Sequence, residues 1–190
     1  MSGSVSVVVV TTELGPALRN VSRATMTGFD EMYRHEYVAI LRVITVVVGD
    51  REVAAEVLQE AFVTAHRNWD RVGRLDRPDL WLRRVALNRA FTWKRRAATE
   101  ARLLARLALR RDSQNPAPTT GDDALWNHVR RLPRQQAGVI ALVYIDDMSV
   151  EQAAAALDIS VSSTKTHLQR ARRTLARRLN ETDEETCNDR

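Results

Sequence analysis

The stretch that most constrains the fold of this chain is residues 160–178, SVSSTKTHLQRARRTLARR. Its apolar and small side chains recur every three or four positions, which predicts an α-helix with one buried side. It holds six basic residues and no acidic one, and its opposite side begins with hydroxyl groups and ends with arginines. Such a helix suits the major groove of DNA, where small donors contact base edges and arginines contact phosphates. The solvent side and its flank include Ser162, Ser163, Lys165, Thr166, Arg170 and Arg173.

A short helix and a tight turn are predicted just before this basic helix. Ser149 and Gln152 have the spacing of a capping box, which marks the beginning of a helix. The segment EQAAAAL follows, and its alanines allow another helix to approach closely. Residues 158–160 form the turn, and either Ser160 or Ser162 can cap the second helix. The order of these elements predicts a helix-turn-helix. A solvated amphipathic helix is the alternative, but it accounts less well for the caps and the turn.

Composition points to a folded protein with a polyanionic partner. The 190 residues fit one or two small domains, and a hydrophobic content of 44% is enough for a core. The net charge of +5 is carried by arginine, since only Lys94 and Lys165 among the 29 basic residues are lysines. Arginine suits phosphate and guanine because its guanidinium is a planar fork. A general arginine bias would give the same total, so the clustering of the arginines carries more weight.

The single cysteine, Cys187, excludes an internal disulfide framework and a cysteine-based zinc site. A reducing, cytoplasmic location is therefore expected. The apolar residues 5–10 are too few to span a bilayer, and no basic residue precedes them, so we predict neither a signal peptide nor a membrane segment.

Two helical domains are predicted from the change of pattern along the chain. Residues 1–25 form a flexible N-terminal extension, and Met26 is a second candidate for the start of translation. Residues 26–111 form the first domain. Residues 112–123, DSQNPAPTTGDD, contain two prolines and are predicted to be a linker. The second domain spans 124–179, and the acidic tail 180–190 is expected to be disordered.

The first domain has helical periodicity over residues 29–48, from 51 to about 69, and from 78 onward, with a loop at 71–77. Its second helix has an acidic outer surface that is either solubilising charge or a docking face for a basic partner helix. Its third helix combines cations with aromatic rings, a mixture that suits single-stranded nucleic acid. Each tryptophan taken singly is more often a core residue. Asn88 is either a satisfied buried amide or a group that faces a base.

Three stretches together resemble the extracytoplasmic-function sigma factors, the compact group 4 branch of the sigma-70 family. GDREVAAEVLQEAFVTAHRNW is similar to family regions 2.1–2.2, which contact the clamp helices of core RNA polymerase. PDLWLRRVALNRAFTWKRR is similar to regions 2.3–2.4, which open and read the −10 promoter element. LPRQQAGVIALVYIDDMSVEQAAAALDISVSSTKTHLQRARRTL is similar to region 4, which reads the −35 element. The last stretch also resembles modules of response regulators, but the order of all three is specific.

The resemblance implies an all-α fold of two small domains. The first is a region 2 bundle of three to four helices, and the second is a four-helix region 4 that contains the helix-turn-helix. A flexible linker would join them and thread toward the polymerase active centre. The resemblance also implies promoter DNA and core RNA polymerase, through its clamp helices and flap, as partners, and an anti-sigma factor is common in the family. Glu56, Gln59 and Glu60 would face the clamp. The −35 element would contact the exposed side of the basic helix, Ser162 to Arg173. The −10 element would contact Arg71, Arg74, Asn88, Lys94, Arg95 and Arg96.

Three residues depart from the family pattern. Val57 and Thr92 stand where Asp is common, and His167 stands where Arg is more frequent. The first two substitutions are expected to weaken clamp or −10 contacts, and the third to alter the −35 preference.

Two other functions compete with this interpretation. An enzyme is not expected, because the four histidines have no ligand spacing, and neither a nucleophile motif nor a Gly-rich phosphate loop occurs. No metal or other cofactor is expected. A stand-alone helix-turn-helix regulator would account for the second domain, but it leaves the acidic face and the cationic third helix of the first domain unexplained.

Overall fold

The computed structural model describes residues 28–108 and 121–188, and all regular structure within these ranges is α-helical. The predicted all-α class is therefore confirmed. The predicted N-terminal extension, the candidate start at Met26 and most of the predicted linker lie outside the described residues, so the domain bounds stay predictions. The helices of the described ranges are α1 (Phe29–Val48), α2 (Arg51–Arg67), α3 (Trp69–Val72), α4 (Pro78–Ala108), α5 (Gly121–Arg130), α6 (Arg134–Tyr144), α7 (Val150–Leu157) and α8 (Val161–Asn188).

Helices α1, α2 and α4 form the first bundle. α1 ends at Gly49, whose φ of 93° is the left-handed conformation that glycine adopts most easily. Asp50 then caps α2, since its Oδ1 accepts hydrogen bonds from the amides of Glu52 at 2.8 Å and Val53 at 3.0 Å. This two-residue connection makes α1 and α2 a helical hairpin, and α4 packs on both. The innermost core side chains include Met32, Ile40, Ile44, Leu58, Leu82 and Leu87.

The connection between α2 and α4 differs from the predicted loop. α2 ends at Arg67, and the single turn α3 occupies the first part of the segment. Asn68 separates them because its backbone leaves the helical region, with φ of −113° and ψ of 20°. Its side-chain amide donates to the carbonyl of Thr64 at 2.7 Å, so this carbonyl in the last turn of α2 has a hydrogen-bond partner. Arg71 therefore lies in a helical turn, and Arg74 lies in the loop that follows.

Helices α5 to α8 form the second bundle. α5 begins at Gly121, three residues before the predicted boundary at 124. The core of this bundle is formed by Val129, Leu132, Ala137, Val139, Ile140, Leu168, Ala171 and Leu175. None of the described helices has the length and apolarity needed to cross a membrane.

The sequence predicts a disordered tail from residue 180, whereas α8 continues to Asn188. Neither Gly nor Pro occurs in residues 161–188, and the added residues include glutamates, which are good helix formers. A helix that is already nucleated extends at little cost through such a sequence.

The two bundles pack against each other. Leu82 and Leu87 of the first bundle belong to the same hydrophobic cluster as Leu142 and Met148 of the second. Glu36 and Arg83 on one side and Asp146 on the other are joined by buried ion pairs. The sequence alone did not predict how the bundles are placed relative to each other.

Candidate nucleic-acid interface

Helix α8 has the two sides that its sequence predicts. Thr164, Leu168, Ala171 and Leu175 are buried, and the last three pack into the core of the second bundle. The opposite side carries the residues predicted to contact DNA. Ser162, Lys165, Thr166, Arg170 and Arg173 are exposed there, and Ser163 is half-buried.

The helix-turn-helix is built from the predicted caps. Ser149 and Gln152 form a complete capping box at the start of α7, with the serine Oγ accepting from the Gln152 amide and the glutamine side chain accepting from the Ser149 amide. α7 ends at Asp158 in the left-handed conformation, with φ of 58°. Ser160, rather than Ser162, caps α8, since its Oγ accepts from the amide of Ser163 at 3.1 Å. The turn thereby fixes where α8 begins.

Ser160 also orders the two serines that the sequence places at the DNA. Its Oγ lies 3.0 Å from the Oγ of Ser162 and donates to the Oγ of Ser163 at 2.8 Å. Because one hydroxyl holds two others, the start of α8 presents its donors and acceptors in a defined arrangement. Sequence reasoning recognised Ser160 only as a candidate cap.

The residues predicted for the −10 element fall into two groups. Asn88 and Lys94 contact the second bundle. Asn88 is an exposed residue whose Oδ1 accepts a short hydrogen bond from Arg134, so it is neither a buried amide nor open to a base in this arrangement. The side chains that remain exposed are those of Arg71, Arg74, Arg95 and Arg96.

Lys94 is half-buried, and its Nζ donates to the carbonyl of Arg130 at 2.6 Å. Burial, and then the positive charge of Arg130, hold the pKa of Lys94 below its ordinary value. This lysine is therefore less available to a phosphate than a surface lysine would be.

The aromatic rings near α4 pack against the protein. Trp69, Trp81, Phe91 and Trp93 are all half-buried and contact the core of the first bundle. Trp69 also makes an edge contact with Phe29, with ring centroids 5.5 Å apart. Their placement favours the structural alternative over the base-stacking one.

The acidic side of α2 lies on the surface beside α4. Glu56, Gln59 and Glu60 are exposed and line one groove together with Arg89. Glu60 accepts from Arg89 at 2.6 Å, and Arg89 also donates to the hydroxyl of Thr64 at 2.7 Å. Sequence reasoning predicted the acidic residues but not the ion pair between Glu60 and Arg89, which partly neutralises them.

Arg83 is one of the basic residues of the cationic helix α4, yet its side chain is fully buried. It occupies the same side of the helix as Leu80, Leu87 and Ala90, which are also buried. That helical spacing was visible in the sequence and would have identified it.

No group of three or more His, Cys, Asp and Glu residues in the described ranges is arranged to hold a metal ion.

Two family models match the chain in the order of its bundles. Residues 32–100 match Sigma-70 region 2, and residues 122–175 match Sigma-70, region 4. The RNA polymerase sigma-E factor of Streptomyces coelicolor is 30% identical over 152 residues, which are 75% of this chain and 81% of that protein. This chain belongs to the sigma-70 family. The sigma-E factor of Streptomyces antibioticus is 28% identical over 151 residues, which are 80% of this chain and 84% of that protein.

Solved structures agree with this family. CnrH in complex with the cytosolic domain of CnrY is similar with a TM-score of 0.57 and 27% identity, covering 80% of this chain and 88% of CnrH. RpoE of Bartonella quintana, solved with the anti-sigma factor NepR, has a TM-score of 0.63 at 18% identity and covers 80% and 96% of the two chains. At this low identity, the similarity to RpoE supports the fold alone.

The chain is thus an RNA polymerase sigma factor of the extracytoplasmic-function type. Sigma factors are non-enzymatic initiation factors that act with core RNA polymerase on promoter DNA, so the hypotheses of an enzyme and of a stand-alone regulator are wrong.

The three departures from the family pattern have distinct environments in this sigma factor. Val57 is buried, Thr92 donates to the carbonyl of Asn88 at 2.8 Å, and His167 is half-buried on α8. Val57 therefore does not lie on the exposed acidic surface.

Proposed function

We propose that this sigma factor belongs to group 4 and reads the −35 element with the N-terminal half of α8. The observation that carries this proposal is the exposed side of α8, on which hydroxyl groups ordered by Ser160 precede a row of arginines. A helix entering the major groove contacts base edges with its first residues and the backbone with later ones. The proposed contacts are made by Ser162, Ser163, Lys165, Thr166, Arg170 and Arg173.

The −10 element is proposed to bind at α4 and the segment before it. Arginines of α3 and the following loop would lie near the extruded bases, and the end of α4 would hold the adjacent backbone. Extruding a base costs a few kcal/mol. Contacts of the arginines with the extruded strand and its backbone would offset that cost without a nucleotide cofactor. The proposed residues are the exposed Arg71, Arg74, Arg95 and Arg96, together with Asn88 and Lys94, which contact the second bundle in this arrangement.

The exposed acidic residues Glu56, Gln59 and Glu60 are proposed to bind the clamp helices of core polymerase, and region 4 to bind its flap. Complementary charge would steer this association. An anti-sigma factor is a further proposed partner, because the protein of similar fold from Bartonella quintana was solved with one. We also propose that the protein acts in the cytoplasm, where core polymerase and promoter DNA are found.

The first test is gel filtration of the purified chain with core RNA polymerase at moderate salt. We expect a stoichiometric complex that initiates transcription from promoters selected out of a randomised library. Failure of the folded protein to form this complex would contradict the proposal.

The second test separates DNA binding from polymerase binding. Arg170→Ala should weaken −35-dependent initiation by about 10- to 150-fold, since a hydrogen bond to a charged group is worth about 1.5–3 kcal/mol, and leave polymerase association intact. Arg42→Ala is the matched control, since Arg42 is an exposed arginine on α1 outside both proposed DNA faces. If Arg170→Ala weakens polymerase association as much as initiation, the role of α8 is wrong.

A further inference from the structure

A groove between α2 and α4 of region 2 joins the two faces for which different partners are proposed. Its volume is about 440 Å³. One wall carries Glu56 and Glu60, which are proposed to bind core polymerase. The other wall carries Asn88 and Arg96, which are proposed to bind the −10 element. Arg89 lines this groove and also the neighbouring groove on the acidic side of α2, so it is common to both faces.

The residues of α4 that line the groove between α2 and α4 recur at spacings of three and four positions. They therefore lie on one side of the helix. They are Val85, Asn88, Arg89, Thr92, Trp93 and Arg96. The guanidinium of Arg89 thus belongs to the same side of α4 as two of the residues proposed for the −10 element.

Glu60 holds Arg89 through a contact that a partner can replace. Nη1 of Arg89 donates to Oε2 of Glu60 at 2.6 Å, and Nη2 donates to the hydroxyl of Thr64 at 2.7 Å. The side chains of Arg89 and Glu60 are 37% and 66% exposed, so water reaches both charges. An ion pair this exposed changes an equilibrium constant by only about 1.5- to 5-fold. A cation of a partner protein can therefore displace Arg89 from Glu60 at little cost.

The balance of charge in the groove determines whether it attracts DNA. The carboxylates of Glu56 and Glu60 oppose the guanidinium groups of Arg89 and Arg96. A phosphate therefore meets little net positive charge in the chain alone. Once cations of the polymerase pair with the carboxylates, the two guanidinium groups are left to attract the backbone of a single strand. Arginine suits this contact because its planar fork matches two phosphate oxygens.

We propose that Arg89 is a further residue of the −10 site, and that it changes partner when core polymerase binds. In the chain alone Arg89 pairs with Glu60. When the polymerase takes Glu60, Arg89 pairs with a backbone phosphate of the extruded −10 strand, which lies in the groove between α2 and α4. Binding of polymerase and binding of the −10 strand then strengthen each other reciprocally. This inference rests on the proposed function, since it uses the contact of Glu60 with the clamp helices.

Arg89→Gln in the full chain tests this exchange, because glutamine keeps a polar side chain and loses the charge. The variant should bind core polymerase about 1.5- to 5-fold more tightly, since Glu60 is no longer occupied. Its holoenzyme should bind a fluorescent single strand with the −10 element of a selected promoter about tenfold more weakly, after subtraction of binding by core polymerase alone. The slope of log affinity against log salt should become shallower by about 0.7 for the lost phosphate contact. A purely structural role of Arg89 would weaken both associations and leave the slope unchanged.

Three further variants provide the controls. Arg42→Gln makes the same change of charge at an exposed position of α1 and should alter neither association. Arg89→Lys keeps the charge and should keep the salt slope of the wild type. Glu60→Gln releases Arg89 without polymerase and removes one carboxylate from the groove. The chain alone should then bind the single strand about 1.5- to 5-fold more tightly than the wild type, while its affinity for polymerase falls.

The two affinities fail separately if the inference is wrong. Unchanged strand binding and salt slope in Arg89→Gln would overturn the DNA contact. Polymerase affinity that stays equal or falls in Arg89→Gln would overturn the exchange at Glu60. If Arg89→Gln does not fold, Glu60→Gln still decides, because unchanged strand binding by that variant would overturn the release of Arg89. If no form of the chain binds polymerase, the proposed function fails, and comparing strand binding by Glu60→Gln with and without Arg89→Gln still shows whether Arg89 contacts the strand.

Discussion

Replacing Ser160 by alanine tests how the start of α8 is held. The substitution removes the cap on the Ser163 amide and the two hydroxyl contacts with Ser162 and Ser163. Loss of a serine cap costs about 1 kcal/mol. For a chain of this size that corresponds to a melting temperature lower by about 2–4 °C. A protein with an ordinary stability of about 5–15 kcal/mol stays folded after such a loss.

The effect on DNA should be larger than the effect on folding. Each neutral hydrogen bond is worth about 0.5–1.5 kcal/mol net, so disordering the hydroxyls of Ser162 and Ser163 should weaken −35 binding by about 1–2 kcal/mol. That is about 5- to 30-fold in affinity. The assay is binding of the assembled holoenzyme to a selected promoter, alongside thermal melting of the isolated sigma factor.

Ser149→Ala is the matched control for stability. It removes a serine cap of the same kind from the preceding helix, where the Oγ of Ser149 accepts from the Gln152 amide at 3.2 Å. We expect a similar decrease in melting temperature and promoter binding close to that of the wild type. A large loss of promoter binding in both variants would mean that stability, not the arrangement of the hydroxyls, controls DNA affinity.

Ser160→Asp separates capping from DNA contact. Aspartate caps a helix as well as serine does and interacts favourably with the positive end of the helix dipole, so the melting temperature should not fall. The carboxylate would face the DNA, and promoter binding should fall further than in Ser160→Ala. Wild-type promoter affinity in Ser160→Asp would refute the placement of this helix end at the DNA.

Two further predictions concern α2 and the turn before it. Glu60→Arg should reduce the affinity for core polymerase by about tenfold or more while −35 contacts are kept, because it reverses a charge on the proposed docking face. Titration of the labelled protein with polymerase measures this affinity, and Glu100→Arg, at an exposed position, is the control. If Glu60→Arg binds polymerase as tightly as the control does, the acidic face is not a docking site. Gly49→Ala should lower the free energy of unfolding by about 1–2 kcal/mol, since φ is 93° at this position. In denaturant titrations the control Gly28→Ala should lower it less, because an added Cβ there meets no atom within 4 Å. Equal free energies of unfolding for the two variants would contradict backbone strain at Gly49.

The helices and the helix-turn-helix were predictable because their determinants are local. The stripe through Leu168 and Leu175, the capping box at Ser149 and the glycine at the end of α1 each act within a few residues of the chain. The end of α8 differs from the predicted tail, because the acidic composition suggested disorder although such residues also extend a helix that has already formed.

The placement of the two bundles was not predictable for a physical reason. Arg83 and Asp146 are 63 positions apart, and no local pattern in the sequence indicates that they form an ion pair. An arginine inside a cationic segment is ordinarily exposed, since an isolated charge is rarely buried. The buried spacing of Arg83 with Leu80 and Leu87 was the one sign that it lies inward, and it was outweighed by the charge of its neighbours.

The cores of the two bundles are only partly independent of each other. Region 4 retains its own core around Ile140 and Leu168, which involves few residues of the first bundle. Leu142 and Met148, however, pack into the cluster shared with region 2 and would lose that cover. Exposing a buried leucine or methionine costs about 1.5–3 kcal/mol. Separating the two bundles would therefore cost several kcal/mol.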